Sequence, residues 1–281
     1  TLTEDFSYSR IIKGYYSMNT TFPIYDYYKT GELEMSGTFE NRSATSKTGE
    51  FITYYKNGNK KSVSNYKKSK LTGPFSSWYE NGSPKMESEY IENKTDLTND
   101  LKINQFWDTE NKQTVINGNG YFEEKDGKSF SKGELKNGVK EGIWSGHIEN
   151  QKIDFAENYV KGKFISGLSV DMDKIQHSYD VLEVKPTPKN GIKNFYKFLE
   201  KNFKLTDEVE SNNINGVIVA TFTVDIDGSL DHIQITKSLS PSLDKEMIRV
   251  LKTSPKWIPG QKKGISTQYS YRIPLTIGRN N

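Results

Sequence analysis

The side chains best suited to chemistry are scattered along this chain. His147, His177 and His232 lie far apart, and no second histidine or carboxylate falls at the spacing of a metal-ligand motif. There is no cysteine, which removes disulfides, thiol nucleophiles and thiolate zinc sites together. Asp225-Ile-Asp227-Gly228 has the opening of a calcium loop, but the acidic ligand needed at the twelfth position falls on Thr236, so the segment reads as a hairpin turn. No phosphate-binding glycine loop and no nucleophile elbow occurs. The expectation is a chain that is not an enzyme, with no catalytic residue, no cofactor and no metal. Its function then has to come from surfaces, and the elements that build those surfaces decide what it does.

Length and composition bound those elements. A chain of 281 residues can bury a core in each of two domains. Hydrophobic residues are only 33%, while Tyr, Phe and Gly are abundant, which favours short strands and turns over helical bundles. The net charge of +3 comes without a long basic block beyond Lys60-Lys61 and the cluster from Lys67 to Lys70, so no nucleic-acid partner is expected. No run of eighteen apolar residues is present, and membrane association is expected only through an anchor or a partner. Thr1-Leu-Thr-Glu-Asp5 reads as the start of a processed chain, with room upstream for a signal peptide, lipid anchor or membrane helix.

The last hundred residues carry the clearest pattern. From Val217 to Val224 every position is β-branched, aromatic or Ala, so Ile218, Ala220, Phe222 and Val224 share the core face of a central strand. Asp225 to Gly228 supplies a turn, and Leu230 to Lys237 returns as the second strand of a hairpin. Before it, Ile192, Phe195, Tyr196, Leu199 and Phe203 recur at helical spacing opposite Lys193, Lys197 and Lys201. After it, Ser240-Pro241 starts a helix with Leu243, Met247, Val250 and Leu251 as its stripe, and Ser254-Pro255 stops it. A final strand follows, with Tyr269, Tyr271, Ile273, Leu275 and Ile277 alternating with Gln268, Ser270, Arg272 and Thr276. The order is helix, strand, strand, helix, strand, which predicts both helices on one face of a three-stranded antiparallel sheet.

The first half repeats itself. Tyr27-Tyr28-Lys-Thr-Gly31, Tyr54-Tyr55-Lys-Asn-Gly58 and Trp78-Tyr79-Glu-Asn-Gly82 are one phrase written three times. Gly49-Glu-Phe51 and Gly73-Pro-Phe75 precede the second and third copies, and an aromatic falls fifteen positions after each Phe, at Tyr66 and Tyr90. Ile24 and Phe39 hold these places in the first copy. After a polar insertion from Glu92 to Asp100, the same offset recurs at Phe106 and Tyr121 and at Trp144 and Tyr159, with Gly142 leading the latter. Each unit reads as a β-hairpin whose aromatic face is buried only by stacking on its neighbours. These units resemble the variant MORN repeats, best over residues 49 to 66 and 73 to 90, and the resemblance implies an elongated, twisted antiparallel sheet. Aromatic stripes of this kind are expected to be core, leaving the array as a spacer or docking face.

Glu183-Val-Lys-Pro-Thr-Pro188 favours an extended connection between the halves. Beyond it, Lys185 to Gly191, Gly216 to Val224 with Asp227-Gly228, Leu243-Asp244, Pro255-Lys-Trp257-Ile-Pro259-Gly260 and Ile273-Pro274-Leu275 together resemble the C-terminal domain of TonB, over about residues 181 to 278, in the form common in Bacteroidetes. Gly216, Gly228, Trp257 and Pro259 are its structural motif. Lys204 to Asp207 and Thr276 depart from the family pattern. The fold class expected is mainly β: an antiparallel MORN-type repeat sheet followed by an α+β TonB-C-like domain. The expected boundaries are a lead-in over 1–21, the array over 22–167, a linker over 168–190 and the final domain over 191–281.

The resemblance implies a periplasmic protein of a Gram-negative envelope, associated with the outer membrane, that takes a segment of an outer-membrane TonB-dependent transporter or protein complex as an added strand. Inner-membrane motor proteins are a further implied partner. The partner-binding edge would be Gln268, Tyr269, Ser270, Tyr271, Arg272, Ile273, Pro274 and Leu275. Pro274 supports an edge position by itself, because a residue without an N–H interrupts a central strand; it either protects that edge or leaves it open to a partner. Trp257, set between two prolines, is expected in the core, with a partner contact as the other reading. Two functions follow: a force-transmitting transducer, or a static adaptor within an outer-membrane assembly.

Overall fold

The computed structural model describes residues 8–14, 20–93, 99–205 and 214–278. The fold is mainly β, with two helices among the described residues. The chain divides into two compact units, Thr1–Asn150 with Ala156–Lys163, and Gln151–Phe155 with Phe164–Asn281.

Unit one is a meander. Its strands are β1 (Tyr8–Ile12), β2 (Phe22–Tyr28), β3 (Leu33–Phe39), β4 (Lys47–Tyr54), β5 (Lys60–Lys67), β6 (Lys70–Leu71) and β7 (Gly73–Trp78), followed by β8 (Pro84–Ile91), β9 (Asp100–Trp107), β10 (Gln113–Ile116), β11 (Asn119–Asp126), β12 (Ser129–Lys136) and β13 (Val139–Ile148). Sequence neighbours pair antiparallel, except that the short β6 folds beside β5 and β7 takes the next place in the sheet. Within the expected lead-in, Tyr8–Ile12 adds a strand beside β2; residues 1–7 and 15–19 of it lie outside the described residues. So do 94–98 of the polar insertion, which ends as β9 begins.

The repeated phrase forms the hairpin tips. The N–H of Tyr28, Tyr55 and Tyr79 donates to the carbonyl of Glu32, Asn59 and Ser83, and the N–H of Gly31, Gly58 and Gly82 donates back to the tyrosine carbonyl. Those glycines have φ of 99°, 84° and 85°, the left-handed region that such turns need. Each return strand then carries one extra residue, so the register skips Glu34, Lys61 and Lys85.

A single sheet buries its rings by laying them over small residues of the neighbouring strand. A Cβ on Gly37 would come within 2.3 Å of the Phe51 ring, and one on Gly133 within 2.6 Å of Trp144. Phe51 meets Phe39 and Tyr66 edge-on at 5.5 and 5.0 Å, Phe75 meets Tyr90 at 6.0 Å, and Trp144 meets Tyr159 at 6.5 Å. The fifteen-residue offset fails at one copy. Tyr121 is 42% exposed, and Phe122 instead packs on Phe106 at 4.5 Å. The register shift between β9 and β10, at Gln113 and Val115, moves the inward face by one position.

In unit two, β14 (Ile153–Val160), which the division crosses, precedes β15 (Lys163–Val170), β16 (Gln176–Tyr179), β17 (Glu183–Val184), β18 (Thr187–Pro188), α1 (Ile192–Asn202), β19 (Gly216–Val224), β20 (Leu230–Lys237), α2 (Pro241–Lys252), β21 (Trp257–Ile258), β22 (Gly260–Lys262), β23 (Ile265–Thr267) and β24 (Tyr269–Ile277). The stretch over 168–190 is extended, and it is also paired: β15 with β16, β17 with β22, and β18 with β21. Both helices pack into one core with β19 and β24. Phe195 and Leu199 of α1 join Leu243, Met247, Val250 and Leu251 of α2, against Ile218, Ala220, Phe222, Val224, Ile273, Leu275 and Ile277. Each of these side chains except Ala220 contributes about 1.5–3 kcal/mol by leaving water. Ser240 caps α2 by accepting from the Leu243 N–H at 3.3 Å, with Pro241 in the first turn. Ile192 does not join the core stripe; it is 39% exposed at the start of α1, and Phe198 packs in its stead.

Candidate strand-addition edge

The three-stranded sheet runs β20–β19–β24, so β19 is central and β24 is an edge. β24 pairs with β19 without a register shift from Gly216 opposite Ile277 to Val224 opposite Tyr269. The opposite edge, β20, shifts twice against β19, and His232 within it has φ of 49°. Bulges of this kind disrupt a ladder, so β24 is the regular edge and β20 the interrupted one.

The hairpin turn sets which backbone groups of β24 face outward. The Asp225 N–H donates to Ser229, toward β20. Residues of an antiparallel strand turn their N–H and C=O alternately to one neighbour and the other. Val224, Phe222, Ala220, Ile218 and Gly216 therefore face β24, and their partners Tyr269, Tyr271, Ile273, Leu275 and Ile277 face back. Ser270, Arg272, Pro274 and Thr276 direct their backbone groups away from the sheet. Pro274 stands where its missing N–H breaks no bond to β19.

The side chains divide in the same way. Gln268, just before β24, and Ser270, Arg272, Pro274 and Thr276 are exposed, Tyr269 and Tyr271 are half-buried, and Ile273 and Leu275 are buried. Ile273 and Leu275 thus anchor the edge to the core. Tyr269 is also engaged: its hydroxyl donates to Glu183 Oε1 at 2.8 Å, Lys185 and Lys262 stand over its ring, and the ring lies against Gly260. Burial, then the Glu183 carboxylate, pushes the Tyr269 hydroxyl well above its usual range. Hydrogen bonds from Lys185 and Tyr269 hold Glu183 below the usual carboxylate range. Sequence reasoning missed this clamp, because nothing in Glu183-Val184 marks it as a partner for β22.

The motif residues support the edge from behind. Trp257 is 3% exposed, and its ring meets Phe195, Phe222 and Tyr271 edge-on at 5.0, 5.6 and 4.8 Å. Gly228 accepts a hydrogen bond from the Trp257 N–H at 2.8 Å, and a Cβ there would fall 2.0 Å from the Trp257 carbonyl oxygen. Gly216 opens β19, and a Cβ there would come within 2.9 Å of Leu239. Pro259 is half-buried beside β21. Asp227 serves the turn, accepting from Ser229 and from Lys256, whose ammonium holds its carboxyl far below the usual range. Among the described residues no cluster of three potential metal ligands occurs, and no helix is long and apolar enough to cross a membrane.

A family profile described as the Gram-negative bacterial TonB protein C-terminal matches residues 201–276. The span opens at the end of α1 and closes within β24. The family is one of non-enzymatic protein-interaction domains. Of the departures from its pattern noted above, Asp207 and Thr206 lie outside the described residues, and Thr276 is exposed on β24. No MORN-repeat family matches the long antiparallel sheet that precedes this segment, and no curated protein matches the chain.

Proposed function

We propose that this chain is a periplasmic protein-interaction protein of the Gram-negative envelope, which captures an extended segment of an outer-membrane transporter or outer-membrane complex by adding it as a strand to β24. The observation that carries this reading is the unshifted β24 edge, with outward backbone groups at Ser270, Arg272, Pro274 and Thr276, inside a segment that matches the TonB C-terminal family. Strand addition uses such groups for affinity and the side chains beside them for specificity. Domains of this family typically interact with outer-membrane proteins. In this reading the MORN-like array over 22–167 is a spacer or second docking surface, 168–190 is the connector, and 191–281 is the binding domain.

A second reading, a static adaptor, draws on a specific feature. The connector is fixed to the binding domain by the β17–β22 and β18–β21 pairs and by the Tyr269–Glu183 hydrogen bond, whereas a transducer works through a free linker. Purification of the tagged protein from solubilised native envelopes separates the two. Several transporters recovered together with inner-membrane motor proteins would establish energy transduction. One outer-membrane complex in fixed proportion, without the motor, would establish the adaptor. Failure of a crosslinker at Ser270 to reach any recovered partner would sink strand addition in both forms.

A further inference from the structure

Arg272 lies at the middle of the β24 edge, exposed, on the face of the sheet turned away from both helices. Among the described residues it makes no hydrogen bond, ion pair or ring contact. Its neighbours cannot neutralise it: Thr221 stands beside it on β19, Gln234 beyond that on β20, and Ser270 and Pro274 flank it on its own face. Lys185 and Lys262 stand over Tyr269, whose side chain belongs to the other face; on the face that carries Arg272, charge along the edge is graded. Toward the start of β24, the Gln268 amide donates to the carboxylate of Asp225, and Asp231 lies in the row of Ser270. Toward the far end, Lys237 lies in the row of Pro274.

We propose that Arg272 selects the partner, which is an extended segment bearing an Asp or Glu directly opposite it, with no carboxylate at the end facing Gln268. This rests on strand addition at β24 and specifies its occupant. An added strand places the side chain opposite Arg272 on the same face, with Cβ atoms about 4.5–5.5 Å apart, within reach of a bidentate guanidinium–carboxylate pair. The backbone of Arg272 faces the added strand, so pairing fixes this contact and the side chain need not search for it. A carboxylate displaced toward Gln268 meets Asp225 and Asp231, so the gradient sets register as well as identity.

The test uses the full chain and acetylated, extended peptides of alternating threonine and valine with one central Asp, Gln or Lys. Affinity is read by calorimetry, and the site by protection of the β24 amides from hydrogen exchange. The Asp peptide is expected to bind about tenfold more tightly than the Lys peptide at low salt, with the preference fading at high salt. Arg272→Glu is expected to invert the order and Arg272→Gln to abolish it, while all variants keep the same β24 protection. Equal binding of the three peptides, with β24 still protected, overturns the role of Arg272 and leaves strand addition standing. Protection on β20, or none anywhere, overturns strand addition and this inference with it.

Discussion

Trp257 joins α1, β19 and β24 through three rings at once. Trp257→Ala should destabilise unit two by about 3–5 kcal/mol, as for other large-to-small changes in a close-packed core; an unchanged urea midpoint would refute that placement. Its Nε1 is buried without a partner among the described residues. Trp257→Phe removes that donor, whose burial costs about 1–3 kcal/mol, and should therefore cost much less than Trp257→Ala. Glu246 offers a pH test. It accepts from Arg249 and from the Lys204 N–H, and the Arg249 hydrogen bonds hold its carboxyl below the usual range. A depressed carboxyl stabilises above its unfolded pKa and loses that contribution as pH falls through the folded value. Glu246→Gln should lower stability near neutral pH and leave it unchanged in acid, as read by denaturation at each pH.

At the scale of elements, the hairpins of the array are tied by a ladder that the repeated phrase encodes. The hydroxyls of Tyr28, Tyr55 and Tyr79 donate to the carbonyls of Tyr54, Trp78 and Trp107, the first aromatic of the next tip, at 2.7, 2.9 and 2.8 Å. Lys56, Lys61 and Lys85 stand over the same three rings. The second aromatic of each phrase thus ties its hairpin to the next, through a backbone carbonyl that any residue type would supply. Tyr55→Phe should cost about 1 kcal/mol of array stability by urea denaturation. Burial, ahead of nearby carboxylates, raises all three hydroxyls above 10.0. Their contribution is complete below that pH and lost as pH climbs toward the folded values, so the urea midpoint of the array should fall as the tyrosinate absorbance rises. On β24 the alternation makes a sharper test of strand addition. Ser270→Pro deletes an outward N–H and should weaken partner capture while the fold survives, whereas Tyr271→Pro deletes a bond to β19 and should cost about 1–3 kcal/mol. Equal stability of the two variants would mean that the alternation is wrong.

Over the whole molecule, what was legible in the sequence is what is local along the chain. The hairpins of unit one pair neighbours, so their period shows as the Tyr-Tyr-x-x-Gly phrase and the fifteen-residue offset, and at the β10 bulge Phe122 turns inward where that offset points to Tyr121. The β19–β20 hairpin and the capped α2 were legible for the same reason. The clamp on Tyr269 was not, because β17 to β22 and β18 to β21 are two-residue contacts between segments far apart in sequence, with no periodicity to announce them. The same contrast predicts how the chain unfolds. A sheet whose strands touch mostly their neighbours behaves as a chain of coupled units and melts progressively, while the core of unit two closes α1, β19, α2 and β24 over long loops and should melt as one step. Urea unfolding followed by hydrogen exchange should therefore show graded midpoints from β2 to β9 and one shared midpoint for Leu199, Ala220, Val250 and Ile273. Trp257→Ala should lower only the shared midpoint. If it shifts the β2 to β9 amides equally, the array and the binding domain fold as one body, and the boundary proposed over 168–190 is lost.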